Sequence, residues 1–276
     1  PHVDRKDLLN LAKEIRETNQ DGTADRVEVL EQLLGKHVCE SLAIFRLPEH
    51  FLLSVIIPVY NEVGTVQEVV RRVRATGIPI EIILIDDGSN DGSYELLESW
   101  RGQSDLVIER LAYNQGKGAA IKFGLDKARG DVVVVQDADL EYNPADFWKL
   151  LQPIVKDKAD VVFGTRMKGS NQRVLYFWHY VGNRLLTILS NVKTNLNLSD
   201  METCCKMFRR QLIQPIIPTL QERRFGIEPE LTAKLAKIPG VRIFELPISY
   251  RGRTYAEGKK IGWRDGLRAA WCALRY

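Results

Sequence analysis

Three carboxylates near the middle of the chain are spaced so that they could hold a metal ion. Asp137, Asp139 and Glu141 follow four consecutive valines, residues 132–135, which are typical of a strand buried on both faces. If the chain stays extended, side chains at every second position point to one side. Carboxylate oxygens suit Mg²⁺ or Mn²⁺, which would in turn hold a diphosphate. A solvated acidic turn is the alternative interpretation of this segment taken alone.

Two earlier segments also place polar residues directly after a predicted strand. The strand from Ser54 to Tyr60 leads into Asn61-Glu62, and the strand from Glu81 to Ile85 leads into Asp86-Asp87-Gly88-Ser89. The carboxyl ends of parallel strands lie on one edge of a sheet, so these groups would converge with the three carboxylates. Carboxylates accept hydrogen bonds from ribose hydroxyls and base N–H groups. Each segment alone is also typical of a simple turn, but three on successive strands indicate a ligand-binding edge.

An alternation of strands and helices from Phe51 onward must position these strand ends. The other predicted elements are helices over Glu62 to Ala75, Gly92 to Trp100, Gly116 to Ala128 and after Pro144, and strands over Leu106 to Leu111 and Ala159 to Gly164. This order predicts an α/β protein with a mostly parallel sheet that is covered by helices on both faces. After Arg166 the alternation stops, and a long aromatic-rich helix is predicted from Arg173 to Thr194.

The two ends of the chain differ from its centre. Residues 1–50 are predicted to form an N-terminal helical extension, with a helix over 24–36 that Gly35 could cap, while residues 51–276 form the main domain. Residues 251–276 hold 7 basic and 2 acidic side chains, which favours contact with phosphates, a nucleotide or a membrane surface. A solvated basic face on a terminal helix is the alternative.

The remaining composition narrows the class of protein. The 276 residues are 45% hydrophobic, no apolar run approaches the roughly 20 residues that span a bilayer, and the N-terminus has no signal-peptide core. Cysteine occurs at four positions without a CxxC pair, so we expect free thiols in a reducing cytoplasm and no zinc site. No nucleic-acid partner is expected. A peripheral position at the cytoplasmic membrane face is compatible with the basic end.

The ordered set of segments resembles glycosyltransferase family 2, whose members have the Rossmann-like GT-A nucleotide-sugar-binding fold. The resemblance rests on residues 54–62, Asp86-Asp87-Gly88-Ser89, Asn114-Gln115-Gly116-Lys117-Gly118 and Asp137-Ala138-Asp139. Within this family the sequence is most similar to the branch of dolichol-phosphate mannosyltransferase and bacterial polyprenyl-phosphate sugar transferases. The residues that carry this similarity are Gly164-Thr165-Arg166, Asp200-Met201-Glu202-Thr203 and Lys206-Met207-Phe208-Arg209. The resemblance covers about residues 52–255 and does not include the first 50.

This resemblance implies roles for the matching residues. Those implied to bind the donor nucleotide sugar, its base or its diphosphate are Pro58, Tyr60, Glu62, Asp87, Gly116, Lys117, Asp137 and Ala138. Those implied to hold the metal ion are Asp137, Asp139 and Glu141. Arg166 would contact an acceptor phosphate, and Arg173 and Arg184 are further candidates because guanidinium groups match phosphate oxygens. For these two arginines, surface solvation or pairing within a helix is the alternative.

The implied activity is an inverting, metal-dependent transfer of a hexose from GDP-mannose or UDP-glucose to a dolichyl or undecaprenyl phosphate. Cations would stabilise the charge on the departing nucleotide, and the anionic acceptor needs guidance instead of a strong base. Asp200 would orient the acceptor loop, or would act as general base if the acceptor were a soluble alcohol. An inactive nucleotide-sugar-binding module is a further alternative. The four aromatics within residues 175–181 suit a membrane interface, a prenyl groove or core packing.

Overall fold

The computed structural model describes residues 26–168, 176–254 and 263–276, and the chain divides into two compact units. The first unit ends at Leu47, and its described residues form two short helices, α1 (Arg26–Leu34) and α2 (Lys36–Ser41). Between them Gly35 has a φ of 82°, which glycine adopts without the strain of a Cβ atom. Because residues 1–25 lie outside the described part of the chain, an N-terminal helical extension over 1–50 remains a prediction.

The second unit, from Pro48 to Tyr276, contains the alternation of strands and helices. Its described elements are, in chain order, β1 (Leu53–Val59), α3 (Val66–Arg74), β2 (Ile80–Asp86), α4 (Ser93–Glu98), β3 (Leu106–Arg110), α5 (Lys117–Lys127), β4 (Val132–Val135), α6 (Phe147–Val155), β5 (Val161–Thr165), α7 (Phe177–Thr194), β6 (Lys206–Arg209), α8 (Arg210–Ile213), α9 (Ile227–Ala236), β7 (Ile243–Pro247) and α10 (Trp263–Arg275). Short 3₁₀ turns at Pro144–Asp146 and Ile217–Thr219 precede α6 and α9.

The seven strands of the described residues form one mixed sheet in the order β3-β2-β1-β4-β6-β5-β7. Only β6 runs antiparallel to its neighbours, β4 and β5; the other pairs are parallel. The predicted α/β class and mostly parallel sheet are therefore confirmed. Strand β6 was not predicted, and its direction brings the residues that precede it to the edge where β1, β2, β4 and β5 end.

The core lies on both faces of the central strands. All four valines of β4 are buried, and so are Val66, Val69, Val70 and Val73 on the inner face of α3. Burying each such side chain contributes about 1.5–3 kcal/mol, which favours the strand over any solvated conformation of the same residues. The carboxyl ends of these strands are thereby held in a rigid layer, from which polar side chains project.

Two predicted details were wrong. The helix expected from Glu62 begins at Val66 instead, because Asn61 has a φ of 52° and the backbone N–H of Glu62 donates to Ser93 Oγ. The chain also does not stay extended through Glu141: β4 ends at Val135, and Leu140 has a φ of 63°. The period of two therefore does not explain the directions of the acidic side chains. The start of the helix predicted from Arg173 lies outside the described residues.

Candidate active site

A cleft of about 420 Å³ opens at the edge where β1, β2, β4 and β5 end and β6 begins. It brings together most of the residues that the sequence singled out. The predicted residues that line it are Pro58, Tyr60, Glu62, Asp87, Gly116, Lys117, Asp137, Ala138, Asp139, Glu141 and Arg166. Asp200 and Arg184 are not among the lining residues, and Arg173 lies outside the described part of the chain.

At the β2 end of the cleft, Asp87 organises the loop that leads into α5. Its carboxylate accepts hydrogen bonds from the backbone N–H groups of Gln115 at 2.7 Å and Gly116 at 2.8 Å. Burial nevertheless raises the pKa of Asp87 above its ordinary value. Gly116 has a φ of 101°, and a Cβ atom there would stand 2.5 Å from the carbonyl oxygen of Arg223. Only glycine fits this close approach, which holds the start of α5 against the wall of the cleft.

Asp137 is bonded to a cation and to a thiol. Lys117 Nζ lies 2.7 Å from its Oδ1, and Cys204 Sγ donates to the same oxygen at 3.0 Å. Burial alone would lower the pKa of Lys117, but Asp137 and its acidic neighbours raise it well above the ordinary value. Lys117 therefore stays charged at the floor of the cleft, where a diphosphate would need a cation.

Arg253 bonds to the other two predicted metal ligands, Asp139 and Glu141, and to Glu62 after β1. Its Nη2 lies 3.0 Å from Asp139 Oδ2 and 3.0 Å from Glu62 Oε1, and its backbone N–H donates to Glu141 at 2.6 Å. Tyr250 OH also donates to Glu141, at 2.8 Å. Sequence reasoning missed Arg253 because 114 residues separate it from Asp139. The only available signal was its place in the basic C-terminal segment.

The chemistry of the cleft fits a divalent cation. Seven carboxylate residues line it against four lysines and arginines. Burial, together with Asp137 and Glu141, raises the pKa of Asp139 to about 7, as expected for crowded negative charges. In the described residues these carboxylates do not converge as a ligand set, since they are bonded to Lys117, Arg253 and Tyr250. The donor set fits Mg²⁺ or Mn²⁺ by charge and by atom type.

Arg166 and Asp200 form a buried ion pair on the β5 side. Arg166 Nε and Nη2 each lie 2.7 Å from the Asp200 carboxylate, which is fully buried behind the arginine. Burial alone would raise the pKa of Asp200, but Arg166 lowers it below its ordinary value. Arg166 lines the cleft, whereas Asp200 orients it from behind. Arg184 Nη1 lies 3.4 Å from the carbonyl oxygen of Ser199, in the loop before β6.

Two further acidic side chains line the cleft on the β6 side, Glu202 and Glu228. Glu228 is bonded through Oε2 to Lys206, a fully buried lysine that also donates to the carbonyl oxygens of Met201 and Thr203. Burial and the charge of Glu228 raise the pKa of Glu202 to about 7. Glu202 belongs to a segment that carried the family resemblance, but the sequence indicated no role for it.

Comparison with known proteins identifies relatives of this sequence. Residues 54–217 match the family Glycosyl transferase family 2. The chain is 34% identical over 214 residues to undecaprenyl-phosphate 4-deoxy-4-formamido-L-arabinose transferase of Aeromonas hydrophila, covering 75% of this chain and 62% of that protein. It is 30% identical over 214 residues to the transferase of the same name from Pseudomonas aeruginosa, covering 60% of it. The chain thus spans about three fifths of the length of these relatives.

Solved structures share the fold. Glucosyl-3-phosphoglycerate synthase from Mycobacterium tuberculosis, crystallised with Mn²⁺, UDP and phosphoglyceric acid, superposes with a TM-score of 0.58 at 20% identity, over 75% of this chain and 73% of that one. Residues 1–349 of TarS from S. aureus superpose with a TM-score of 0.54 at 21% identity, over 75% of this chain and 62% of that one. Since the family match extends over more than half of the sequence, this chain belongs to glycosyltransferase family 2 and is a glycosyltransferase with a GT-A-like fold.

Proposed function

We propose that the cleft binds a nucleoside diphosphate sugar together with Mg²⁺ or Mn²⁺, and that the chain transfers the sugar with inversion to a polyprenyl phosphate. The observation that carries this proposal is the convergence of the predicted donor and metal residues, and of Arg166, on one cleft. The name of the sequence relatives, undecaprenyl-phosphate 4-deoxy-4-formamido-L-arabinose transferase, supports the same acceptor class.

The donor would lie across the sheet edge. Tyr60, Glu62 and Asp87 would contact the base and ribose beside β1 and β2, and Lys117 would contact the diphosphate beside β4. Asp137, Asp139 and Glu141 would hold the divalent ion, which when bound stabilises the negative charge of the departing nucleoside diphosphate.

The acceptor would approach from the side of Arg166. A phosphate monoester is already anionic near neutral pH, so it needs a cation to guide it and no strong base. Asp200, the base that an alcohol acceptor would require, is buried and its pKa is lowered by Arg166, so it is a poor proton acceptor. This geometry favours the phosphate acceptor over an alcohol.

One observation supports a second candidate function. Glu202 lines the cleft with a pKa of about 7, which suits a general base for a soluble hydroxyl acceptor. Release of the nucleoside diphosphate should be measured with polyprenyl phosphate and with soluble sugar alcohols as acceptors. Turnover that requires the lipid phosphate supports the first function; turnover with alcohols alone supports the second.

The donor itself needs a separate experiment. The relatives are named 4-deoxy-4-formamido-L-arabinose transferases, after a pentose derivative, whereas the sequence predicted a hexose. Calorimetric titration of UDP, GDP, UDP-glucose, GDP-mannose and UDP-4-deoxy-4-formamido-L-arabinose, each with Mn²⁺, would identify the base and the sugar. A chain that binds none of them would contradict the proposed donor class.

Asp139→Asn tests the metal assignment. We expect it to remove most activity and to raise the Mn²⁺ concentration that supports half-maximal turnover, because one anionic ligand is lost where the ion meets the phosphates. Circular dichroism should show an unchanged fold. Glu109→Gln, a partly exposed carboxylate outside the cleft lining, is the control. Turnover near that of the parent chain at limiting Mn²⁺ would overturn the assignment.

Contact with a membrane would bring the enzyme to its lipid acceptor. Trp178, Leu185 and Val192 are 78%, 58% and 78% exposed and lie seven residues apart, so they form one apolar stripe along α7. Helix α10 packs against α7 and exposes Leu267 and Trp271. No helix among the described residues is long and apolar enough to span a bilayer. These helices would lie in the membrane interface.

A further inference from the structure

The strand order gives the cleft a direction from nucleotide to sugar. Across the edge, β2 and β1 carry the proposed base pocket, β4 leads to Asp137 and Asp139, and β6 follows next. Adjacent strands lie about 4.8 Å apart, so a donor stretched across this edge places its sugar beyond the diphosphate, beside β6. Because β6 is antiparallel, residues 199–205 reach this same edge as the loop before it.

Glu202 occupies that loop and has an unmet bonding capacity. Its Oε1 atom is buried and has no hydrogen-bond partner among the described residues. The neighbouring Glu228 is only 5% exposed; its Oε1 atom has no hydrogen-bond partner among the described residues and lies 3.8 Å from Lys117 Nζ, while Lys206 is bonded to Oε2. Both side chains line the cleft. Buried polar atoms without hydrogen-bond partners are rare in folded proteins, so we expect a bound ligand to supply hydrogen bonds to this pair of carboxyl groups.

The chemistry of that ligand follows from the two carboxyl groups. Phosphate oxygens only accept hydrogen bonds, and the two carboxyl groups together offer at most the one proton of Glu202, so they do not match a phosphate. A metal ion would need a third converging ligand, and no such group exists among the described side chains. Sugar hydroxyl groups can donate to both oxygens. Burial raises the pKa of Glu202 to about 7, so near neutral pH its carboxyl also carries a proton that it can donate in return.

We propose that Glu202, supported by Glu228, recognises the hydroxyl groups of the donor sugar and determines which sugar is transferred. This inference rests on the proposed function and adds to it the residue that discriminates between sugars. A site built to bond a hydroxyl rejects an analogue that lacks it, because the protein groups are then left without a partner. Selectivity would therefore come from hydroxyl positions on the ring.

Binding experiments test this inference directly. Calorimetry with Mn²⁺ compares UDP with UDP-glucose and GDP with GDP-mannose, for the parent chain, Glu202→Ala and the Glu109→Ala control. We expect Glu202→Ala to bind the nucleoside diphosphates as the parent does, but to lose roughly tenfold or more of the affinity ratio between nucleotide sugar and nucleotide. Unchanged nucleotide affinity would also demonstrate an intact fold. An unchanged ratio overturns the inference.

Turnover distinguishes sugar recognition from a role as general base. Glu202→Gln keeps a hydrogen-bond donor and an acceptor but cannot take up a proton. We expect it to retain turnover within about tenfold while shifting the relative kcat/KM of two donor sugars. A loss of about 10²–10⁴ in kcat with every donor, at unchanged sugar affinity, would make Glu202 a base and overturn the inference while leaving glycosyl transfer intact. If the parent chain binds no nucleotide at all, the proposed function fails with it.

Discussion

Asp200 and Glu202 are two residues apart, yet their surroundings displace their pKa values in opposite directions. Burial would raise both, but the paired guanidinium of Arg166 lowers the pKa of Asp200. Glu202 has Glu228 as its main charged neighbour, and its pKa rises to about 7. Their chemistry is therefore set by the neighbour that each one faces, and only one of the two can exchange a proton near neutral pH.

The raised pKa of Glu202 predicts a pH-dependent stability. The folded chain holds this proton up to about pH 7 and the unfolded chain up to about pH 4.5, so the stabilisation is complete below pH 4.5 and is lost as pH rises to 7. Glu202→Gln has no titrating carboxyl group at this position, so it should not lose this stabilisation as the pH rises. Urea denaturation of metal-free protein should show the variant gaining stability relative to the parent across this range, by at most about 3 kcal/mol. Asp139 titrates in both proteins and cancels. Parallel curves would contradict the raised pKa.

Arg166 is predicted to act on the acceptor more than on the donor. Arg166→Ala alone leaves Asp200 buried without its cation, so the informative variant combines it with Asp200→Asn. We expect this double variant to bind nucleotide nearly as the parent does and to raise the acceptor KM by roughly 10–100-fold, the loss of a charge-assisted phosphate contact. Asp200→Asn alone is the control for orientation. If nucleotide affinity collapses while the acceptor KM is unchanged, Arg166 belongs to the donor site.

The sequence predicted those site residues that directly follow a strand. Asp87, Asp137 and Asp139 stand just beyond hydrophobic runs, so the strands bring them to the edge of the sheet, although the turn after β4 sets the directions of Asp137 and Asp139. Arg253 and Glu228 could not be found in this way. They reach the cleft from segments far along the chain, and their partners are set by tertiary packing that no local pattern records.

At the level of elements, β4 matches its predicted range because a run of valines has one favourable arrangement, in a sheet covered on both faces. Strand β6 was missed because it is short and begins with Lys206, which reads as a surface residue. The structure buries that lysine completely, since Glu228 on α9 and two carbonyl groups satisfy its ammonium group. A polar residue in a core strand can be recognised only once its partner is known.

Breaking the ion pair between Lys206 on β6 and Glu228 on α9 should strongly lower the stability of the fold. Lys206→Met leaves the buried Glu228 carboxylate without its hydrogen-bonded cation, with only the longer ion pair to Lys117 at 3.8 Å among the described residues, and should lower the free energy of unfolding by about 3–5 kcal/mol. The double variant with Glu228→Gln should recover part of that loss, because no charge is then left unpaired. Urea denaturation of both single variants and the double variant gives the coupling energy. Strictly additive losses would mean that the two side chains do not interact.

Over the whole molecule, charge and apolar surface are unevenly distributed. The last 26 residues hold 7 basic and 2 acidic groups, although Lys259 and Lys260 lie outside the described residues. The exposed apolar stripe of α7 lies on a helix that packs against α10, near the end of that basic segment. Both features favour the same partner, an anionic membrane, as the proposed lipid acceptor would require.

We therefore expect the chain to sediment with anionic vesicles and not with neutral ones. Each basic residue near the surface contributes about 1 kcal/mol, and raising the salt from 0.1 M to 1 M shortens the Debye length from about 10 Å to about 3 Å. Binding should weaken accordingly, and Trp178→Ser should weaken it at both salt concentrations. Phe244→Ser, an exposed aromatic on the edge strand β7, is the control. A chain that stays in the supernatant at low salt would favour a soluble acceptor.

The antiparallel direction of β6 has a consequence for how such an enzyme can diversify. The loop of residues 199–205 follows α7 and lies outside the parallel pairing of β1, β2 and β4, so its composition can change while those strands keep their register. The end of the cleft beside β6 can thus vary at positions other than Asp200 and Cys204, which bond to Arg166 and Asp137. Lineages could change those positions, and protein engineers could substitute them, to alter sugar choice while inheriting the nucleotide-binding half unchanged.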